Sequence, residues 1–272
     1  MTTELATQAP KPAKPALALM AEVDQRRDMF SLPSTITFDQ FKNCLLAACG
    51  KDPKLLAADR PSLLLACINA AADGLLPNGK EAALVIFNKK SRDGQLTAFV
   101  QYMPMREGIV KKILNSGSAS TIETEVVYEK DFFECEHGLV PKLQHRQSWD
   151  IDRGEVVCAY ALAVMKDGSK QFSAMHRDDL HRHRACSKSW SDANSEKNKY
   201  NKSSIWDDWY PEMCRKTVLR KLAGELHLSA DVPKMFERED ATGPGLEPAS
   251  PALSLPELPD LKMPSVDGEV ME

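Results

Sequence analysis

Apolar residues in the first third of the chain recur every three or four positions. They fall at Phe41, Leu45 and Ala48, and again at Leu63, Leu64, Cys67, Ile68 and Ala71. Positions three or four apart share one side of a helix, so this spacing predicts helices that pack on a core. Pro53 and Pro61 interrupt it. We therefore expect two or three helices between residues 38 and 73, ending near Gly74.

The pattern changes to strand-like runs beyond residue 80. Residues 82–87 and 96–102 flank the polar segment NKKSRDG, which is typical of a β-hairpin. A helical pattern over residues 105–115 follows, and then three more strand-like runs. These runs cover residues 121–128, 156–165 and 171–175. The order of elements predicts an α+β fold with a largely antiparallel sheet flanked by helices.

A last helical pattern lies within the segment WDDWYPEMCRKTVLRKL, residues 206–222. Pro211 suits a first helical turn, and Asp207 or Asp208 is the expected cap. One side of this helix is predicted to be buried. Its residues are Cys214, Val218 and Leu222.

The same segment combines aromatic rings with cations. Lys216 and Arg220 lie one turn apart on a face next to the buried side. Rings that stack on bases and cations that bind phosphates are typical of proteins that bind single-stranded nucleic acid. The alternative is that the tryptophans belong to the core and the charges to an ordinary solvated face.

The formal net charge of −4 over 272 residues argues against a nucleic-acid-binding protein until the charge is divided along the chain. Residues 1–79 are neutral, residues 80–221 carry +4, and residues 222–272 carry −8. The middle region is therefore mildly basic, which permits DNA binding without demonstrating it.

Both ends of the chain differ in composition from the middle. Residues 1–30, whose first part is rich in Ala, Pro, Lys and Thr, are predicted to form a flexible arm. Residues 231–272 are predicted to form an acidic, Pro-rich tail, disordered from Thr242 onward. The folded core is expected between residues 31 and 230. Scattered leucines in residues 251–263 fit either a partner-docking segment or an inert solubilising tail.

Hydropathy and cysteine content indicate where the protein acts. No window approaches the roughly 18 consecutive apolar residues of a membrane span. Hydrophobic residues make up 43% of the chain, which is enough for a core. Seven cysteines without a regular framework fit a reducing compartment. We expect a soluble, cytoplasmic protein.

The segment GLLPNGK, residues 74–80, matches the first seven positions of a phosphate-binding P-loop. The eighth position needs Ser or Thr to hold Mg²⁺, but this chain has Glu81, whose charge would repel phosphates. A P-loop also joins a strand to a helix, whereas this segment follows a helical pattern and precedes a strand. We interpret it as a helix stop followed by a turn, and expect no nucleotide cofactor.

Two clusters suggest a zinc site but lack the usual ligand spacing. They are His176, His181, His183 and Cys186, and separately Cys135 and His137. The first cluster is interpreted as a polar helix or loop that faces solvent or phosphate. The acids in residues 123–136 alternate with apolar residues and are interpreted as the outer face of strands, not as the Mg²⁺ ligands of a nuclease. We predict no metal site and no catalytic residue.

Several segments, in the same order, resemble the RecT family of phage recombinases, which are ATP-independent single-strand annealing proteins. The segments are CINAAADGLLPNGKEAALVIF, QYMPMREGIVKKILNSGSA, VVCAYALAVMKDGSKQFSAM and WDDWYPEMCRKTVLRKL, which together span about residues 60–228. The last segment is the most specific, because family members carry a Trp, then an aromatic followed by Met-x-(Lys/Arg)-Lys-Thr and a second basic pair.

The resemblance implies a protein that binds single-stranded DNA along its backbone, assembles into rings or helical filaments, and anneals complementary strands without hydrolysing nucleotide. The matching DNA-binding positions are Arg106, Lys111, Lys112, Lys216, Arg220 and Lys221, and the matching aromatics are Tyr102, Trp206 and Tyr210. These aromatics either stack on bases or only support the groove. In one departure from the family, residues 105–108 read Met-Arg-Glu-Gly where many members carry Gly-Tyr-(Lys/Arg)-Gly.

The resemblance also implies partners. Family members act beside a 5'-to-3' exonuclease and often meet the host's single-strand binding protein. Residues 242–272 are a candidate docking segment, or an acidic competitor of DNA for the basic groove. Two other hypotheses remain open at the level of sequence. One is a protein that protects single strands without annealing them, and the other is a metal-dependent nuclease.

Overall fold

The computed structural model describes residues 14–90, 96–138, 141–195, 203–226 and 228–241. The helices are α1 (Lys14–Gln25), α2 (Phe38–Lys51), α3 (Lys54–Ala57), α4 (Arg60–Asp73), α5 (Arg106–Asn115), α6 (Arg177–Ala185), α7 (Lys188–Ala193), α8 (Ile205–Asp208), α9 (Tyr210–Glu225) and α10 (Asp231–Ala241), with a 3₁₀ turn at Arg27–Met29. The strands are β1 (Ala82–Lys90), β2 (Leu96–Pro104), β3 (Ala119–Tyr128), β4 (Phe132–Glu136), β5 (Lys142–Arg146), β6 (Val156–Met165) and β7 (Lys170–His176).

The helices predicted between residues 38 and 73 are α2, α3 and α4. Helix α2 begins with a capping box in which Thr37 and Gln40 exchange side-chain and backbone hydrogen bonds. Helix α4 ends at Gly74, whose φ of 67° is the left-handed conformation that lets a glycine close a helix. Residues 74–80 are thus a helix stop and a turn, as interpreted from the sequence.

The described residues form three sheets, all antiparallel, and the predicted α+β class is confirmed. Strands β1 and β2 form the predicted hairpin, which packs against α4. Strands β3, β6 and β7 form a sheet in the order β3-β6-β7, and the short strands β4 and β5 form a second hairpin. The predicted single sheet is therefore divided into three.

Helix α9 joins the three-stranded sheet to the helical core. It packs against β3, β6 and β7, and α5 lies beside it on β3. Its predicted buried side is confirmed, because Cys214, Val218 and Leu222 are almost completely inaccessible to solvent. The expected cap is different: Asp207 closes the capping box of α8 with Ser204, and α9 begins after Trp209 without a side-chain cap.

The hairpin of β4 and β5 is fastened by one buried carboxylate. Asp131, just before β4, accepts hydrogen bonds from Arg153, from His145 and from the backbone N–H of Ser148. These contacts tie down the loop after β5. The loop still carries Trp149 into solvent, where its side chain is 100% exposed.

Helices extend further toward both ends than the sequence predicted. Helix α1 lies within the predicted flexible arm, and its Leu19 and Val23 are fully buried. Helix α10 lies within the predicted tail, and its Val232 and Met235 are fully buried. Those predictions are therefore wrong for residues 14–30 and 231–241, because a few apolar side chains at helical spacing suffice to dock a short helix. Residues 1–13 and 242–272, where the rest of both predictions falls, lie outside the described residues.

Two absences hold for the described part of the chain. None of its helices is long and apolar enough to cross a membrane. Within the same residues, no group of three His, Cys, Asp or Glu side chains could hold a metal ion.

Candidate nucleic-acid interface

The predicted DNA-binding cations lie mainly on α5 and α9, which pack side by side on β3. Arg106, at the start of α5, lies 3.6 Å from the Glu212 carboxylate of α9 and donates a hydrogen bond of 3.3 Å to Thr124 of β3. Arg215 of α9 pairs with Glu212 and reaches Glu125 of β3 at 3.4 Å. Arg106 is thus part of an ionic seam between the two helices.

The lysines of α5 contact carboxylates near the end of α4. Lys111 Nζ lies 2.7 Å from Glu81, whose carboxylate also accepts a hydrogen bond from the backbone N–H of Leu76. Lys112 Nζ donates to the carbonyl oxygen of Asp73 and lies 3.9 Å from its carboxylate. Glu81, the residue at the eighth position of the P-loop-like segment, therefore holds the turn and α5 together.

Asp73 links α5 to α10. Its side chain is fully buried, and Arg238 of α10 lies 2.9 Å from its Oδ1. Burial raises the pKa of the Asp73 carboxyl, while the nearby charges of Arg238 and Lys112 act to lower it. A buried carboxylate between two cations fixes where α10 docks beside α5.

Two cations of α9 contact the C-terminal turn of α10. Lys216 Nζ lies 3.0 Å from Glu239 Oε1, and Arg220 lies 2.7 Å from Glu239 Oε2. Arg220 also contacts both carboxylate oxygens of Asp240 at 2.6 Å. The predicted pairing of Lys216 and Arg220 on one face is confirmed, and this face is covered by the C-terminal turn of α10.

Lys221 lies apart from this contact. Its Nζ donates a hydrogen bond of 3.2 Å to the carbonyl oxygen of Ala174 in β7. The structure therefore brings together Lys216 and Arg220, and it places Arg106, Lys111, Lys112 and Lys221 in separate contacts.

Two of the predicted aromatic residues belong to the core. Tyr102 is 1% exposed and Trp206 is 3% exposed. Burial raises the pKa of the Tyr102 hydroxyl, and the neighbouring Asp73 charge adds to the rise. Of the two roles that the resemblance left open, only support of the surrounding structure suits these buried rings.

Tyr210 is half-buried in a cluster of rings and cations. Its ring lies 6.0 Å from those of His181 and Trp206, and the Arg184 guanidinium stacks over Trp190 at 4.0 Å. His181 and Arg184 belong to α6, so the histidine-rich segment is a polar helix, as interpreted from the sequence.

The candidate DNA-binding residues named from the sequence do not include Trp209, which is 63% exposed between α8 and α9. The spacing of apolar residues in the sequence distinguishes this tryptophan from its neighbours. The buried positions Cys214, Val218 and Leu222 recur every four residues, and the same step taken backward reaches Tyr210 and Trp206 but passes over Trp209. Trp209 is therefore the aromatic of this segment that is free to contact a base.

Comparison with known proteins decides the family. The RecT family model matches residues 39–251. This chain belongs to the RecT family. Protein RecT of Escherichia coli (strain K12) is 27% identical over 222 residues, which cover 80% of this chain and 77% of that protein. Membership in the RecT family supports a DNA-binding protein of recombination and single-strand annealing.

Proposed function

We propose that this protein binds single-stranded DNA without using ATP, oligomerises on it, and promotes the annealing of complementary strands during homologous recombination. The observation that carries the proposal is the family match over residues 39–251, which includes α5, α9 and α10. The basic side chains of α5 and α9 support it, because they supply donors for phosphate oxygens.

The proposed mechanism needs no catalytic residue and no cofactor. Cations that neutralise phosphates reduce the repulsion between two strands, and counterions are released when they bind. The bases remain available, so base pairing alone reads the sequence. We therefore expect little sequence preference and a strong dependence on salt.

Lys216 and Arg220 are proposed as the central phosphate ligands, since they act from adjacent turns of one helix. Trp209 is proposed to stack on a base, because it is exposed at the N-terminal end of the same helix. Trp206 is assigned to the support of that helix through its contact with Tyr210, and Tyr102 to the core beside Asp73.

The test is fluorescence-monitored annealing of two complementary oligonucleotides, without nucleotide, in EDTA and in Mg²⁺. Faster annealing in both supports the proposal. Binding without faster annealing would instead indicate a coat that protects single strands, and loss of the labelled oligonucleotides in Mg²⁺ would indicate a nuclease. Absence of binding would refute the proposed function altogether.

Replacing Lys216 and Arg220 with Ala should weaken single-strand binding and reduce the slope of log affinity against log salt by about two, since each phosphate contact releases roughly one counterion. Fluorescence anisotropy of a labelled oligo-dT over a salt series measures this slope. The matched control replaces the exposed Lys51 and Lys54, at the end of α2 and in α3, and should change the slope less. An unchanged slope in a folded Lys216 and Arg220 variant would remove α9 from the interface.

The proposed partners follow from the family. They are a 5'-to-3' exonuclease, the host's single-strand binding protein, and further copies of this chain in a ring or helical filament. The proposed location is the cytoplasm of a bacterial host. Residues 242–272 are proposed to dock a partner or to compete with DNA.

A further inference from the structure

The proposed phosphate ligands of α9 already have anionic ligands from the same chain. Lys216 is only 13% exposed and Glu239 only 9%, so their contact is largely shielded from water. The side chain of Arg220 is clamped between the carboxylates of Glu239 and Asp240, and its guanidinium stacks on the Phe236 ring at 4.8 Å. A DNA phosphate and these carboxylates cannot use the same N–H donors at once.

The acids near the C-terminal end of α10 do not serve the stability of their own helix. Glu237, Glu239 and Asp240 lie in its last two turns, where the helix dipole disfavours negative charge. The one basic residue of the last turn, Arg238, reaches away to Asp73. The ion pairs with Lys216 and Arg220 therefore hold the Glu239 and Asp240 side chains against α9, while Arg238 and the hydrogen bond from Gln101 Nε2 to the Glu239 carbonyl oxygen hold the backbone of the turn.

We propose that the C-terminal turn of α10 is an autoinhibitory latch, in which Glu239 and Asp240 occupy the phosphate-binding positions of Lys216 and Arg220 until single-stranded DNA displaces them. This inference rests on the proposed function. It adds that the central phosphate site is closed in the free protein and opens by exchange of carboxylate for phosphate.

The latch can open without unfolding the protein. The buried anchors of α10, Val232 and Met235, precede Glu239 by seven and four residues. Release of residues 239–241 leaves these two side chains docked and Arg238 on Asp73, and it breaks the hydrogen bond of 3.2 Å that Gln101 Nε2 donates to the Glu239 carbonyl oxygen. The displaced carboxylates then stay tethered near α9, so their effective concentration is high. A single phosphate competes poorly against them, whereas a strand that engages several cations at once displaces them.

The first experiment removes the two negative charges of the latch. Binding of labelled oligo-dT to the full chain is measured for Glu239→Gln with Asp240→Asn, and for Glu237→Gln, which changes an exposed acid of the same helix. The double variant should bind at least about fivefold more tightly, the lower end of typical coupling between sites. Glu237→Gln should bind nearly as the parent does. In a background of Lys216→Ala and Arg220→Ala, the gain should disappear.

The outcomes separate the latch from the proposed function. If loss of Lys216 and Arg220 weakens binding but the double variant behaves like Glu237→Gln, the latch is refuted and the DNA site stands. If loss of Lys216 and Arg220 changes nothing in either background, α9 is not the DNA site and the latch is refuted, whereas the proposed function fails only if the parent chain neither binds nor anneals single strands. Circular dichroism melting confirms that each variant is folded.

Hydrogen exchange gives a second readout that does not depend on substitution. Addition of oligo-dT to the parent protein should speed the exchange of the backbone amides at residues 239–241, while those in the first turns of α10 keep their rates. Slower or unchanged exchange at residues 239–241 in the DNA-bound protein would overturn the latch.

Discussion

At the scale of single residues, Asp131 decides the order of the β4–β5 region. Its side chain is fully buried, and burial acts to raise the pKa of its carboxyl. Hydrogen bonds from Arg153, from His145 and from the backbone amides of Tyr128 and Ser148 outweigh burial and hold the pKa well below its usual range. Ionisation of the Asp131 carboxyl therefore stabilises the native state.

Asp131→Asn should destabilise the protein by about 3 kcal/mol at pH 7, since it breaks a buried ionic contact. A carboxyl whose pKa is lowered on folding stabilises the native state above its unfolded pKa of about 3.9, and this contribution is lost as pH falls toward the folded pKa. The difference from the parent should therefore shrink progressively as the pH falls below about 4.

Urea unfolding at several pH values measures this difference. Asp150→Asn is the matched control, because Asp150 is exposed on the same loop and its replacement should have little effect at any pH. A constant penalty for Asp131→Asn across the pH range would show that shape, not charge, accounts for the role of Asp131.

The aromatic residues show what the sequence could give at this scale. The four-residue step of Cys214, Val218 and Leu222, continued backward, places Tyr210 on the buried side of α9 and reaches the buried Trp206 of α8. Local spacing could not predict the partners of Lys216 and Arg220, because the acids that bind them come from another helix, about 20 residues later in the chain.

At the scale of elements, Gly108 sets how closely α5 approaches the turn before β1. A Cβ atom at this position would lie 2.0 Å from the backbone oxygen of Glu81, and that oxygen accepts a hydrogen bond from the N–H of Met105. Backbone cannot move aside as the end of a side chain can. The close packing of α5 therefore requires glycine here.

Gly108→Ala should destabilise the protein by about 3 kcal/mol or more, because the clash forces α5 away from the core. Gly224→Ala in α9 is the matched control. A Cβ there meets nothing within 4 Å, and Ala favours the helix by about 1 kcal/mol. Thermal melts should therefore shift in opposite directions, and a tolerated Gly108→Ala would mean that α5 can shift without cost.

The elements that the sequence predicted are those with a long or regular pattern. The helices over residues 38–73, the β1–β2 hairpin and α9 have several apolar positions each, so local spacing identified them. Strands β4 and β5 have five residues each and half of α10 is charged, so neither gives a clear period. They form because of contacts with distant parts of the chain, as when Phe133 stacks on Tyr160 of β6.

At the scale of the whole molecule, the boundary of the folded core lies beyond α10. A chain ending at residue 241 keeps every contact described above. It should unfold with the same midpoint as the full chain. A chain ending at residue 230 loses the buried side chains of Val232 and Met235, together with Arg238, and should lose about 3 kcal/mol or more of stability.

Urea or thermal unfolding of the two truncated chains, beside the full chain, tests this boundary. Equal stability of all three would show that α10 does not contribute to the core. The same chains separate two effects on DNA affinity. The chain ending at residue 241 lacks residues 242–272 but keeps the latch, whereas the chain ending at residue 230 lacks both.

The four tryptophans lie at four different levels of solvent access, and the molecule therefore carries its own optical probes. Trp149 is fully exposed, Trp209 is mostly exposed at the end of α9, Trp190 is covered by Arg184, and Trp206 is buried. A collisional quencher such as iodide should reach Trp149 and Trp209 first. Trp149→Phe leaves Trp209 as the main tryptophan that iodide can quench. A DNA strand lying along α9 should then protect the Trp209 fluorescence from quenching, so its binding can be followed with no label on the DNA.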